Sequence, residues 1–124
     1  MAKTTFVITD DAMFMRTLLR KMIEQNEEFE VLGEASNGRE AIEAARKVQP
    51  DIMTLDITMP EMDGIHAVPE IMQVSPKTKI IMVTAMGQQS MVIEAIKLGA
   101  KDFVVKPFEK SRVYQAIRNV LSVG

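Results

Sequence analysis

The sequence has no cysteine, no tryptophan, one tyrosine and one histidine. Without cysteine there can be no disulfide, no thiolate nucleophile and no Cys-ligated zinc. The single His66 lacks a second ligand-type residue nearby and reads as a surface helix residue. Neither sign of charge dominates: fifteen Lys and Arg face seventeen Asp and Glu, a net charge of -2. That balance argues against a nucleic-acid partner. No apolar run approaches the roughly 20 residues of a membrane span. The opening "MAKTTFVI" has no long apolar stretch or cleavage site of a signal peptide. No membrane insertion is expected, and a cytoplasmic location is the default. Internal repeats and low-complexity tracts are also missing.

What is present is an ordinary globular balance of 47% apolar and 26% charged residues in 124 positions. That suits one compact domain spanning 1–124, with no output domain. The eleven methionines read mostly as core filler, with Met86 and Met91 as an adaptable contact surface.

The apolar pattern changes period along the chain. "TTFVIT" (4–9) is a β-branched run. Met15, Leu18, Leu19, Met22 and Ile23 then fall on one helical face. "FEVLGEA" (29–35) alternates like a strand with one solvated face. Asn37 is placed to cap a helix marked by Ala41, Ala44, Ala45 and Val48, which Pro50 ends. "DIMTL" (51–55) and "KIIMVT" (79–84) are continuous apolar strands. A short helix lies between them over roughly 65–73. Pro69 falls inside it, so that helix either starts late, near Val68, or kinks. Val92, Ala95 and Ile96 mark a helix closed by Gly99. "KDFVVK" (101–106) is the last strand, and Val113, Ile117, Val120 and Leu121 mark the last helix. Strict strand–helix alternation with apolar strands predicts a doubly wound α/β fold, a five-stranded parallel sheet with helices on both faces. The half-polar second strand suits an edge, as in the order 2-1-3-4-5, which follows by analogy with known doubly wound sheets.

In such sheets, sites form beyond the carboxyl ends of the strands. Asp10 and Asp11 follow the first strand, Asp56 ends the third, Thr84 the fourth and Lys106 the fifth. The expected order brings all five to one rim. Three carboxylates against one ammonium leave two negative charges uncompensated, a costly arrangement. A hard divalent cation such as Mg2+ relieves it, taking Asp11 and Asp56 directly, with Asp10 in support. A carboxylate can also attack phosphorus, forming an aspartyl phosphate. Mg2+ and Lys106 would neutralise the transferring group, and Thr84 could donate to it. Each residue also has a plainer reading: Asp10 and Asp11 as helix caps, Asp56 as a loop acid, Thr84 as a β-former, Lys106 as a solvated turn residue. The joint pattern at every strand end bordering the site favours chemistry.

The motifs "VITDDAMFMR", "DITMPEMDGI" and "VTAMGQQSMVIEAIKLGAKDFVVKPF" together resemble the receiver domains of two-component response regulators. Within that family the chain is more similar to the stand-alone, CheY-type chemotaxis regulators, and the likeness covers essentially the whole chain. The resemblance implies a flavodoxin-like, CheY-like fold and a signalling switch rather than an enzyme, one that assists its own phosphorylation and dephosphorylation. It implies that Asp56 is the phosphoacceptor for a histidine kinase. Asp10, Asp11, Asp56 and the backbone carbonyl of Thr58 would hold Mg2+. Lys106 would bind the phosphoryl group, and Lys106–Pro107 would be a cis bond. Thr84 and Phe103 would be the switch pair. Implied partners are a chemotaxis-type histidine kinase, a flagellar motor switch protein and a dedicated phosphatase, acting on a monomer. Thr9, Pro69, Thr58 and Met86 depart mildly from the family pattern, and the last two leave the phosphoryl lifetime open.

Other functions compete with this one. A phosphorelay intermediate would pass the group from Asp56 to a histidine phosphotransfer protein. An aspartyl-nucleophile phosphohydrolase would need a second Asp where Thr58 stands. A flavin module would need a phosphate cradle where Asp10 and Asp11 stand.

Overall fold

The computed structural model describes residues 2–122. Five strands alternate with five helices: β1 (Thr4–Thr9), α1 (Met13–Glu24), β2 (Phe29–Ala35), α2 (Gly38–Val48), β3 (Ile52–Asp56), α3 (Gly64–Val74), β4 (Lys79–Thr84), α4 (Gln89–Leu98), β5 (Asp102–Val105) and α5 (Lys110–Ser122). All neighbouring strands are parallel, in the order β2-β1-β3-β4-β5.

Successive strand residues point to opposite faces of a sheet, and both faces here are covered. Val7, Met53, Leu55 and Met82 pack with Ala41, Ala45, Val68, Ile71 and Val92 of α2, α3 and α4. Phe6, Ile8, Ile52 and Ile81 pack with Leu19, Ile23, Val113 and Ile117 of α1 and α5. This double burial is why β3 and β4 are apolar along their length, whereas edge strand β2 leaves Glu30, Leu32 and Glu34 exposed. Thr9 and Thr54 are buried inside the sheet, and their hydroxyls meet no partner.

Helix α3 corrects one expectation. It does not start late near Val68; it begins at Gly64 and runs through Pro69. Asp63 caps it by accepting from the His66 N–H at 2.9 Å, so helical geometry is set before the proline is reached. Pro69 itself is exposed, with its ring on the solvent side. Most of the methionines serve the core as expected: Met53, Met59 and Met82 are buried and Met22, Met62 and Met72 pack against it, while Met86 is 81% exposed. Met13, 70% exposed, is the departure. Ile96 and Leu121, placed on core faces by periodicity, are also exposed.

Asn37 caps α2 as expected: its Oδ1 accepts from the Glu40 N–H at 2.9 Å. Its Nδ2 donates to Glu61 at 3.1 Å, fastening the loop after β3 to α2. Asn37→Ala is expected to cost about 1 kcal/mol. In a thermal melt that corresponds to a midpoint lower by about 3–6 °C.

Candidate functional site: the acidic rim at the strand ends

The register of the central strands assembles the site. Thr9 pairs with Leu55, so one step further Asp10 comes level with Asp56. Asp56 is the last residue of β3 rather than a residue of the loop after it. Asp10 and Asp56 are almost fully buried and Asp11 is exposed. One carboxylate oxygen from each lies within 4.8 Å of the others. Neither Asp10 nor Asp11 caps α1, whose N-cap is Ala12 without a side-chain bond. Asp10 Oδ1 instead accepts from the Ala12 N–H at 2.9 Å, which fixes the carboxylate within its own loop. An oxygen-only cluster of this kind fits a hard divalent cation such as Mg2+.

Thr84 pairs with Val105, so Lys106 leaves the sheet one step beyond, beside the acids. Its Nζ donates to Asp10 Oδ2 at 3.0 Å and to Asp56 Oδ2 at 3.3 Å. The Lys106–Pro107 bond is cis. Burial, with Asp10 next in importance, pushes the Asp56 carboxyl up to about 6, against the opposing pull of Lys106. Burial also works against the Lys106 ammonium, but the bonds and charges of Asp10 and Asp56 outweigh it, and its pKa is raised. The site is thus short of positive charge: one ammonium shared by two buried carboxylates does not relieve Asp56.

Thr84 lies at the same rim, and its hydroxyl is engaged by the loop after β4. It is within 2.7 Å of Gln88 Oε1 and 3.1 Å of the Ala85 carbonyl, both acceptors. Thr58 is exposed on the loop after β3, and its hydroxyl accepts from Gln88 Nε2 at 3.0 Å. Phe103 is 37% exposed, at the edge of a largely apolar cleft of about 460 Å³ that Thr84, Gln88, Val92, Ile93 and Val105 also line.

Two contributors were not foreseen. Gln88 is one. The other is Arg16, which donates to the Asp10 carbonyl at 2.6 Å and pairs with Glu34 at 3.0 Å, bracing the acidic loop against β2. Arg16 and Arg20 are spaced i,i+4 on α1, and Arg20 also pairs with Glu34, so their shared face was a readable signal. His66 is exposed on α3 as expected, but it does have a ligand-type neighbour: its Nδ1 lies 2.8 Å from Asp63 Oδ1. That contact is a helix-cap pair on the surface.

The family model for the response regulator receiver domain matches residues 6–118. The chain is 59% identical to the chemotaxis protein CheY of Thermotoga maritima, over 92% of this chain and 94% of that protein. It is 53% identical to CheY of Bacillus subtilis, over 94% and 96%. Among solved structures, it superposes with a TM-score of 0.90 on a chain of the CheX–CheY–BeF3–Mg2+ complex from Borrelia burgdorferi. The two are 34% identical, covering 97% of this chain and 90% of that one. A buried aspartate at the end of the central strand, flanked by two acids and a lysine, therefore comes with sequence likeness over nearly the whole chain: the protein belongs to the response regulator receiver family and is closely related to the CheY chemotaxis proteins.

Proposed function

We propose that the domain is a phosphorylation switch in a chemotaxis pathway, with Asp56 as phosphoacceptor and partner binding as its output. The observation that carries this reading is Asp56 itself, buried at the end of β3, ion-paired to Lys106 and clustered with Asp10 and Asp11.

Lying near 6, the Asp56 carboxyl is mostly ionised at neutral pH and available as a nucleophile. Its oxygen attacks the phosphorus of a kinase phosphohistidine. The P–N bond breaks with its electrons going to the imidazole nitrogen, and an acyl phosphate forms. Lys106 moves from pairing with carboxylate to neutralising the phosphoryl oxygens. Mg2+, held by Asp10, Asp11, Asp56 and the Thr58 carbonyl, would supply the remaining charge neutralisation at the phosphoryl group. Thr84 turns its hydroxyl toward the phosphoryl group, and Phe103 moves into the cleft beside it. That repacks the face of α4, β5 and α5 against which a flagellar motor switch protein would dock. A dedicated phosphatase would reset the switch. The related CheY of the Borrelia complex is found together with BeF3 and Mg2+, which supports this assignment of the site. Among the described residues no helix is long and apolar enough to cross a membrane.

Intact-mass measurement after incubation with acetyl phosphate and Mg2+ tests the reading. One phosphoryl adduct is expected on the protein and none on Asp56→Asn. With EDTA in place of Mg2+, adduct formation should fall to background. An undiminished adduct on Asp56→Asn would remove Asp56 from its role. Equal binding of a motor-switch peptide before and after phosphorylation would remove the switch.

A further inference from the structure

The side chain of Gln88 uses its polar atoms entirely within the rim. Its Oε1 lies 2.7 Å from the Thr84 hydroxyl and accepts from the Ala85 N–H at 2.8 Å. Its Nε2 donates to the Thr58 hydroxyl at 3.0 Å. One half-buried carboxamide thus spans the loops after β3 and β4, joining the residue two places past Asp56 to the residue that ends β4.

A threonine hydroxyl has a single hydrogen to donate. Here that hydrogen is directed to Gln88 Oε1 or to the Ala85 carbonyl, both on the β4–α4 loop. It cannot serve those acceptors and a phosphoryl oxygen on Asp56 at once. From this competition we propose that Gln88 is a positioning residue, a latch that holds the Thr84 hydroxyl and the β4–α4 loop in the resting arrangement and so sets how readily a phosphoryl group on Asp56 captures Thr84. The inference rests on Asp56 being the phosphoacceptor.

The bond from Nε2 to Thr58 makes the latch two-ended. Without an acceptor at Thr58, the carboxamide is free to rotate and its hold on Thr84 weakens. Gln88 and Thr58 therefore act as one unit, and their effects should not add. A ligand shifts a two-state equilibrium only by its differential affinity for the two states. Removing bonds present only in the resting state raises the apparent affinity for a phosphoryl mimic by the lost resting stability. For one or two neutral hydrogen bonds that is roughly twofold to tenfold.

Beryllofluoride with Mg2+ is the probe, titrated into the protein, Gln88→Met, Thr58→Val, the double variant and Asp56→Asn. Binding is followed by the amide NMR signals of Ala85 and Gly87, and folding by thermal melts. Gln88→Met keeps the length of the side chain and removes its donor and acceptor. Its half-saturating concentration is expected to fall roughly twofold to tenfold. Thr58→Val should move it in the same direction by less, and should add nothing in the Gln88→Met background. An unchanged or higher value for Gln88→Met, with wild type binding and Asp56→Asn silent, overturns the latch and leaves the phosphoacceptor intact. Full additivity of the two substitutions also overturns it. Binding by Asp56→Asn as tight as wild type would instead overturn the phosphoacceptor reading on which the latch depends.

Discussion

Alanine at position 64 is expected to destabilise the domain by about 3 kcal/mol or more, and to slow acetyl phosphate uptake even where the variant is still folded. Gly64 opens α3, and its N–H donates to the Ile57 carbonyl at 2.8 Å. A Cβ there would overlap the Asp56 carbonyl oxygen, and would sit 3.1 Å from the Asp56 carbonyl carbon and 3.2 Å from Ile57 Cα. All three atoms are backbone at the buried end of β3, where Ile57 is also bonded to Val83 of β4 at 3.2 Å. No side chain can swing aside, so either α3 lifts off or the end of β3 bends. Both outcomes displace the carboxylate of Asp56. Misplacing a reacting group by about 1 Å can cost up to roughly a hundredfold in rate. Gly33→Ala is the matched control, because its Cβ would meet only Val7 Cγ2 at an ordinary 3.8 Å. Its stability should stay within about 0.5 kcal/mol of wild type. Equal melting curves for Gly64→Ala and wild type would show that α3 can step away from β3 without cost.

The sheet was legible because its strands carry their signal locally. Apolar runs such as "KIIMVT" need no partner to be recognised, and strict alternation with helices leaves few topologies. The acidic rim was legible for the same reason: Asp10, Asp56 and Lys106 each sit at a strand end, and the sheet order alone brings them together. Contacts made by polar loop residues across the chain were not legible. Gln88 reaches Thr58 thirty residues away, and nothing in "AMGQQS" separates Gln88 from Gln89 as the one that turns inward. The path of α3 through Pro69 depended on the Asp63 cap and the packing of Ile65, Val68 and Ile71, which outweigh one missing N–H. Ile96 and Leu121 show the limit of periodicity. It identifies an apolar face, but not how much of that face the neighbouring elements cover.

Lys106→Met is expected to destabilise the protein in EDTA by about 2–4 kcal/mol at pH 7.5, with up to about 2 kcal/mol of the loss recovered as the pH falls toward 5. Removing one member of a buried ion pair strands the charge of the other, at about 3–5 kcal/mol. The lower range follows from the lysine side chain being 26% exposed, so that water screens part of the interaction. The pH dependence follows from Asp56. Its folded pKa of about 6 lies above the ordinary 3.8 of an unfolded aspartate. Ionising it therefore weakens the native state, and the stability it contributes is full below about 3.8 and lost as pH rises through about 6. Lys106 restrains that upward shift. Without it the Asp56 pKa rises further, so the loss of stability continues to a higher pH and is larger at neutrality. Lys106 itself, with a raised pKa, contributes stability below its ordinary 10.5 that is lost only in strong alkali. Urea unfolding of both proteins from pH 7.5 to 5 provides the measurement, and the gap between the two stability curves should narrow toward the acid end by up to about 2 kcal/mol. A deficit that stays constant with pH would mean that the charge of Lys106 does not act on the ionisation of Asp56.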